Sequence, residues 1–264
     1  MSFEVLCVTM HQADFSKIKA MNIHSDVVFA NQADRTSYEE KEFDGHTAKM
    51  ITTATRGASI NRNIAITYAG ADIVIFADDD QVFVDGYEKT VLSEFDKCPK
   101  ADAVKFFVES TNPERPLSYK RASVFQKATR TSMMSAGVHC LAVKREFLVK
   151  NNVFFDASIG PGREIYCGED SVFINTLFKR GAAIYHSPEL ISYVKQEDSS
   201  WFCGYTEQYF VSCGYIYGRI YGILAPLACL RRAYRIKKRK KCDWKFCRMV
   251  ALMLGGVRSG RKAK

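Results

Sequence analysis

The stretch TRGASINRNIAITYAGADIVIFADDD, residues 55–80, decides how the rest of the chain is read. A turn containing Gly57 leads into a segment where Ile60, Ile64 and Tyr68 recur every four positions, the period of a helix. ADIVIFA follows as a short apolar, β-branched run, which reads as a buried strand. That strand passes directly into Asp78, Asp79 and Asp80. In extended backbone alternate side chains face the same way, so Asp78 and Asp80 converge while Asp79 points elsewhere. Two converging carboxylates beyond a strand offer hard oxygen donors, suited to Mg2+ or Mn2+ carrying a diphosphate. The competing reading is a solvated acidic turn that caps the next helix. Asp85 followed by Glu88 resembles a capping box and supplies a better cap, which weakens that alternative.

Outward from this stretch, strand-like and helix-like segments alternate. FEVLCVTM (3–10), DVVFA (26–30), KMITTA (49–54), ADAVKFFV (101–108), VHCLAV (138–143) and AAIYH (182–186) read as strands. Helices are predicted over 59–69, from Asp85 through Phe95, and over about 171–180. The rhythm implies an α/β fold, a mostly parallel central sheet covered by helices. Ligands of such sheets bind beyond the C-terminal strand ends, where the three aspartates lie.

The 264 residues suit one large domain or a domain with an appendage. The net charge of +9 is unevenly spread. Residues 229–264 contain 14 Lys and Arg against the single acid Asp243, whereas the rest carries a net −4. Nine scattered cysteines form no CxxC pair, which favours a reducing compartment over a disulfide framework or zinc ribbon. The first residues lack the pattern of a signal peptide. The longest uninterrupted apolar run, IYGILAPLACL from Ile220 to Leu230, is 11 residues, short of a spanning helix.

Two downstream segments join the opening one. GEDSVFINTLFKRGAAIYHSPE (168–189) places Glu169 and Asp170 at the start of a helix, followed by a strand and a proline turn. SSWFCGYTEQYF (199–210) carries a Ser-Trp-Phe segment. In this order and spacing the three stretches resemble glycosyltransferase family 2, as found in bacterial members that build surface polysaccharides. The resemblance covers about residues 3–215, a catalytic domain, with residues 216–264 as a helical basic appendage.

The resemblance implies a GT-A fold and an inverting transfer of sugar from a nucleotide-sugar donor, with UDP favoured. Asp78 and Asp80 match the metal-binding DxD positions, Asp80 as the better direct ligand and Asp78 also reaching the donor. The implied cofactor is Mn2+ or Mg2+. Asp170 matches the general base, with Glu169 the alternative. Without the family, an acid pair there is also explained by the helix macrodipole. Thr9, Asn31, Gln32, Arg56 and Asp79 are the remaining donor-site candidates. Asn31 and Gln32 close strand two where many members have an acid that reads the base. Arg62 and Asn63 are expected to hold their helix against the acidic loop.

Trp201 and Gly162, the latter in the loop IGPGRE (159–164), are candidates for the acceptor side. An exposed Trp suits a sugar face, although a buried core Trp is the equal alternative. Many relatives place a metal-binding His after the last strand; ISYVKQEDSSW has none, and His186 is not assigned to the metal. The acceptor implied is a glycan or a polyprenyl-linked acceptor.

RRAYRIKKRKK (231–241) has eight basic side chains between two apolar segments. It reads as an anionic-membrane anchor through residues 220–257, as a nucleic-acid surface, or as a solvated tail. The apolar flanks favour the membrane and make nucleic acid unlikely. The expected location is cytoplasmic, at the inner face of the plasma membrane. Two rival functions stand beside the transferase. One is a non-catalytic nucleotide- or RNA-binding protein. The other is a glycoside hydrolase using Asp80 and Asp170, although crowded acids gain nothing there without a metal.

Overall fold

A computed structural model describes residues 1–114, 117, 120–133, 136–195 and 204–263. The first half contains β1 (Phe3–Met10), α1 (Lys17–Ala20), β2 (Asp26–Gln32), β3 (Ser37–Phe43), β4 (His46–Thr53) and α2 (Ala58–Tyr68). It continues with β5 (Ile73–Asp78), β6 (Gln81–Phe83), α3 (Tyr87–Lys97) and β7 (Ala103–Ser110). The second half contains β8 (Gln126–Lys127), α4 (Arg130–Met133), β9 (Leu141–Lys144), α5 (Arg145–Lys150), α6 (Glu169–Lys179) and β10 (Ile184–Val194). Three helices close the chain: α7 (Glu207–Tyr221), α8 (Ala225–Lys238) and α9 (Phe246–Lys262).

The strands form one sheet in the order β3-β4-β2-β1-β5-β9-β7-β10-β6, with β8 beside β10. Strands β4, β2, β1 and β5 are mutually parallel, as are β7 and β10. Strand β9 lies antiparallel between β5 and β7 and joins the two parallel blocks. The hairpin partner β3 is also antiparallel. Strand β10 outlasts its expected end. It continues past Pro188 with two register shifts, so the proline sits in a bulge within the strand.

The near-continuous apolar strands follow from burial on both faces. In β1, Val5 and Cys7 face one layer with Phe29, Ile75 and Phe106, covered by Tyr87, Val91 and Phe95 of α3. Leu6 faces the other layer with Val28, Val74 and Phe76, covered by Ala65 and Ile66 of α2 and by Phe173 and Leu177 of α6. Rings from β5, α6 and the loop between α5 and α6 lock this second layer. Phe155 stacks on Phe173 at 4.0 Å, and Phe76 meets each edge-on at 5.4 Å.

The expected capping box does not form. Gly86, in a left-handed conformation, precedes α3, and the Asp85 carboxylate instead accepts a bond from the Asn22 amide at 2.9 Å.

The helical appendage begins at Glu207, so the expected boundary at residue 215 falls inside α7. The chain reverses at Gly222, and α8 packs back on α7 through Cys229, Ala233 and Ile236. Helix α9 runs parallel to α7, with Arg248 paired to Glu207 near one end and Arg219 bonded to the Ala263 carbonyl near the other. Glycines at four-residue spacing let the two backbones touch. A Cβ on Gly214 would lie 1.9 Å from the Met253 carbonyl oxygen, and one on Gly256 would lie 2.1 Å from that of Val211. The run Glu207–Lys238 has the length and apolar content of a membrane-crossing helix, but it is broken at Gly222 into two helices.

Candidate active site

Four parallel strands end on one side of the sheet, with Thr9 opposite Asn31 and Asp78 opposite Val8 in their registers. The acidic turn is fixed from beneath by the buried Gln81. Its Oε1 accepts from the Asp78 backbone N–H at 2.9 Å. Its Nε2 donates to the His139 carbonyl at 3.0 Å and to Ser192 Oγ at 2.8 Å.

Arg62, buried on α2, is the centre of the site. Nη2 lies 3.0 Å from Asp78 Oδ1. Nη1 lies 3.0 Å from Asp170 Oδ1 and 3.4 Å from Glu169 Oε1. The guanidinium also sits over the Phe155 ring at 5.3 Å, where the ring face favours a cation. Burial opposes its charge, but the three carboxylates more than restore it, so Arg62 stays protonated. Asn63, next on the helix, exchanges two bonds with the Phe155 backbone, at 2.9 and 2.8 Å. Arg62 therefore clamps this helix to the acids as expected, whereas Asn63 holds it to the segment at Phe155 rather than to the acidic turn.

Glu169 and Asp170 open α6, where unpaired backbone N–H groups favour negative charge. Asp170 Oδ2 accepts from the Val138 N–H at 3.2 Å, and its side chain is 24% exposed. Glu169 is the more buried acid. Burial, then the neighbouring Asp170 charge, push its pKa up to about 7 against the pull of Arg62. Burial also raises Asp78, but Arg62 and His139 outweigh it and hold that carboxyl below its ordinary value.

Gly168 precedes the pair with φ +95°, a conformation that a side chain rarely adopts. A Cβ there would also meet Ile216 Cγ1 of α7 at 2.6 Å. The appendage thus packs directly on the turn that presents the acids. Gln208 strengthens this seat by donating to the Glu164 carbonyl at 2.5 Å, as does Arg219, paired with Asp156 at 2.7 Å.

Strand β5 ends at Asp78, so Asp79 and Asp80 lie in a turn rather than in the extended backbone expected, and Asp79 points toward β1 and α1. It accepts from Thr9 Oγ1 at 2.8 Å and lies 3.5 Å from Lys17 Nζ. Lys17 therefore stands at the acid triplet, although nothing in its sequence surroundings marks it. Asp80 enters the turn to β6, its carbonyl accepting from Lys195 N–H at 3.3 Å. The Asn31 amide is engaged in holding the loop after β1. It bonds the backbone N–H and C=O of Gln12, both at 2.9 Å, and Thr52 Oγ1 at 3.0 Å. Gln32 Oε1 accepts from Gly57 N–H at 2.8 Å. Arg56 pairs with Asp34, an acid two residues beyond Gln32 that the strand-end reading passed over.

Gly162 lies against Gly57, its Cβ position 3.5 Å from Gly57 Cα, in a loop that Ser59 Oγ pins through the Ile159 carbonyl at 2.6 Å. Trp201 lies outside the described residues. His186 bonds Ser132 Oγ at 2.8 Å. The histidine beside the acids is His139, with Nδ1 4.0 Å from Asp78 Oδ2. A single histidine in an apolar segment carries no sequence signal of such a role. Among the described residues, no disulfide pairs the eight cysteines with one another, and no group of three or more His, Cys, Asp or Glu is arranged to hold a metal. Mg2+ and Mn2+ do not need such a cage. One or two carboxylates suffice when substrate phosphates complete the shell, and Asp78 and Asp80 are oxygen donors of that kind.

A family model described as "Glycosyl transferase family 2" matches residues 22–150, a span holding Arg56, Arg62 and the three aspartates. The match spans just under half of the chain. The chain has the GT-A fold, with helices on both faces of the sheet and further helices at the C-terminus. Solved structures share it. The S. aureus TarS 1-349 structure in complex with UDP-GlcNAc has a TM-score of 0.64 at 15% identity, covering 98% of this chain and 73% of that one. The complex with UDP has a TM-score of 0.62 at 15% identity, covering 84% and 66%. Against the longer S. aureus TarS structure the TM-score is 0.59 at 13% identity, and this chain spans 44% of its length. No curated protein sequence matches the chain at a significant level.

Proposed function

We propose that the protein moves a sugar from a UDP-sugar, with inversion, to a hydroxyl of a glycan or polyprenyl-linked acceptor. The observation that carries this reading is the bridge made by Arg62. One guanidinium joins Asp78, at the donor end of the sheet, to Asp170, at the start of α6. A donor-binding acid and a proton acceptor are thereby held at one point beyond the strand ends. TarS, which shares the fold, has been crystallised with UDP and with UDP-GlcNAc, which supports a uridine donor here.

In this reading Asp80 and Asp78 hold Mn2+ or Mg2+, which when bound offsets charge on the departing diphosphate. Asp170 accepts the acceptor hydroxyl proton as that oxygen bonds to the anomeric carbon. The bond from that carbon to the phosphate oxygen breaks, and UDP leaves with the electron pair from the opposite face. A carboxylate suffices as base because the hydroxyl becomes acidic only as the new bond forms. Asp170 suits this role better than Glu169, being the more exposed of the two. Arg56, paired with Asp34 at the rim of strand two, faces the base or diphosphate.

The test is a thermal-shift panel of nucleotide sugars with and without Mn2+. A UDP-sugar is expected to raise the melting temperature only with the metal present. Indifference of every nucleotide sugar to added metal would remove the basis of the reading.

A further inference from the structure

We infer that the outer face of α8, with the turn before it, is a docking surface for an anionic membrane. The structure separates the apolar residues of the C-terminal region into two sets. Met249, Met253 and Val257 of α9 are buried against α7, and Trp244 packs on Phe210. They are not available to a lipid. On α8, Ala225, Cys229, Ala233 and Ile236 form the inner face. The opposite face carries Ile223 and Leu224 from the turn, then Leu227, Leu230 and Tyr234. Their exposures are 85, 59, 63, 43 and 59%. The spacing of four, three and four residues from Ile223 places four of these side chains along one stripe.

Toward the end of α8 and in the turn that follows it, the exposed surface becomes cationic. Arg231, Arg235, Lys237, Lys238, Arg239, Lys240 and Lys241 are all exposed. Arg232 alone turns inward, bonding the Tyr209 hydroxyl over its ring. An apolar stripe continuous with seven exposed cations fits a lipid interface, where aliphatic side chains enter the acyl boundary and cations meet anionic headgroups. Nucleic acid would satisfy the cations but leave Leu227 and its neighbours in water. A second copy docked by the same face would oppose like charges. A membrane-spanning rod is excluded for the folded chain, because α7 and α8 are antiparallel across Gly222 and Arg219 is paired with Asp156.

The experiment is co-sedimentation of the full chain with phosphatidylcholine vesicles, with and without phosphatidylglycerol. Binding is expected only to the anionic vesicles and should weaken with salt. Ile223→Gln with Leu227→Gln, and separately Arg235→Glu with Lys238→Glu, should each lower the partition coefficient at least about tenfold. Both sites are solvent-facing, and an unchanged melting temperature of each variant without ligand will show that the fold persists. Four outcomes would overturn the inference. The wild type stays in solution with anionic vesicles. It binds neutral and anionic vesicles equally. The variants bind like the wild type. The same variants abolish a concentration-dependent dimer or RNA binding in a chain that ignores lipid. None of these readouts requires sugar transfer, so failure here and failure of the transferase reading are separable.

Discussion

Arg62 donates to Asp170 across 3.0 Å, and its second nitrogen reaches Asp78 at the same distance. Removing one partner of a buried ion pair costs about 3–5 kcal/mol. The partial exposure of Asp78 and Asp170 lowers the expected cost of Arg62→Met to about 2–4 kcal/mol. Arg62→Lys keeps the charge but loses the planar fork, so it should recover stability without recovering transfer. Urea denaturation beside single-turnover kinetics checks both. A destabilisation below about 0.5 kcal/mol in Arg62→Met, the level of an ordinary surface change, would mean the guanidinium is not the clamp.

Asp80→Asn and Asp170→Asn should separate donor binding from chemistry. The first is expected to abolish turnover and weaken metal-dependent UDP binding. The second should abolish transfer and leave UDP affinity nearly intact. Calorimetric titration of UDP decides; equal losses of affinity in the two variants would defeat the division of roles.

Glu169 predicts a pH signature. Its folded pKa, about 7, lies above the ordinary 4.5. The fold therefore favours the protonated form, and its contribution is complete below pH 4.5 and lost as pH rises through 7. Glu169→Gln is neutral at every pH. The wild-type melting temperature should therefore fall relative to that of Glu169→Gln between pH 5 and 8. A constant difference across that range would contradict the shift.

The contact of α7 with α9 predicts opposite effects at adjacent glycines. A Cβ on Gly255 meets nothing within 4 Å, so Gly255→Ala should stabilise by up to about 1 kcal/mol through helix propensity. At Gly256 the same gain is outweighed by a 2.1 Å clash with backbone, and Gly256→Ala should cost about 1–3 kcal/mol. Melting curves of the two variants test the signs.

Periodicity made α2, β5 and α6 legible, because each has a face or a run that burial dictates locally. The Arg62 half of the clamp was legible too, since it stands one turn inside the helix that faces the acids, but the bonds of Asn63 to Phe155 were not. Strand direction was not legible. β9 reads as a strand in VHCLAV, but its antiparallel insertion depends on pairing with β5 and β7, far away in sequence. Asn31 looked like a base reader because its residue type allows it; only the fold reveals Gln12 and Thr52 as its partners. The C-terminal region reads in sequence as a helical basic appendage, with no partner for it inside the fold. The four-residue spacing of Gly214 with Gly218 and of Gly256 with Gly260 was the available signal that α9 is bound into the bundle.

Ile216 occupies the space a side chain on residue 168 would need, one residue before Glu169. The last three helices therefore cannot be exchanged as an independent cassette. A chimera joined at residue 206 would set a foreign helix against a turn shaped for isoleucine. Residues 156–168 and 207–221 have to come from one parent if the acids are to keep their aim.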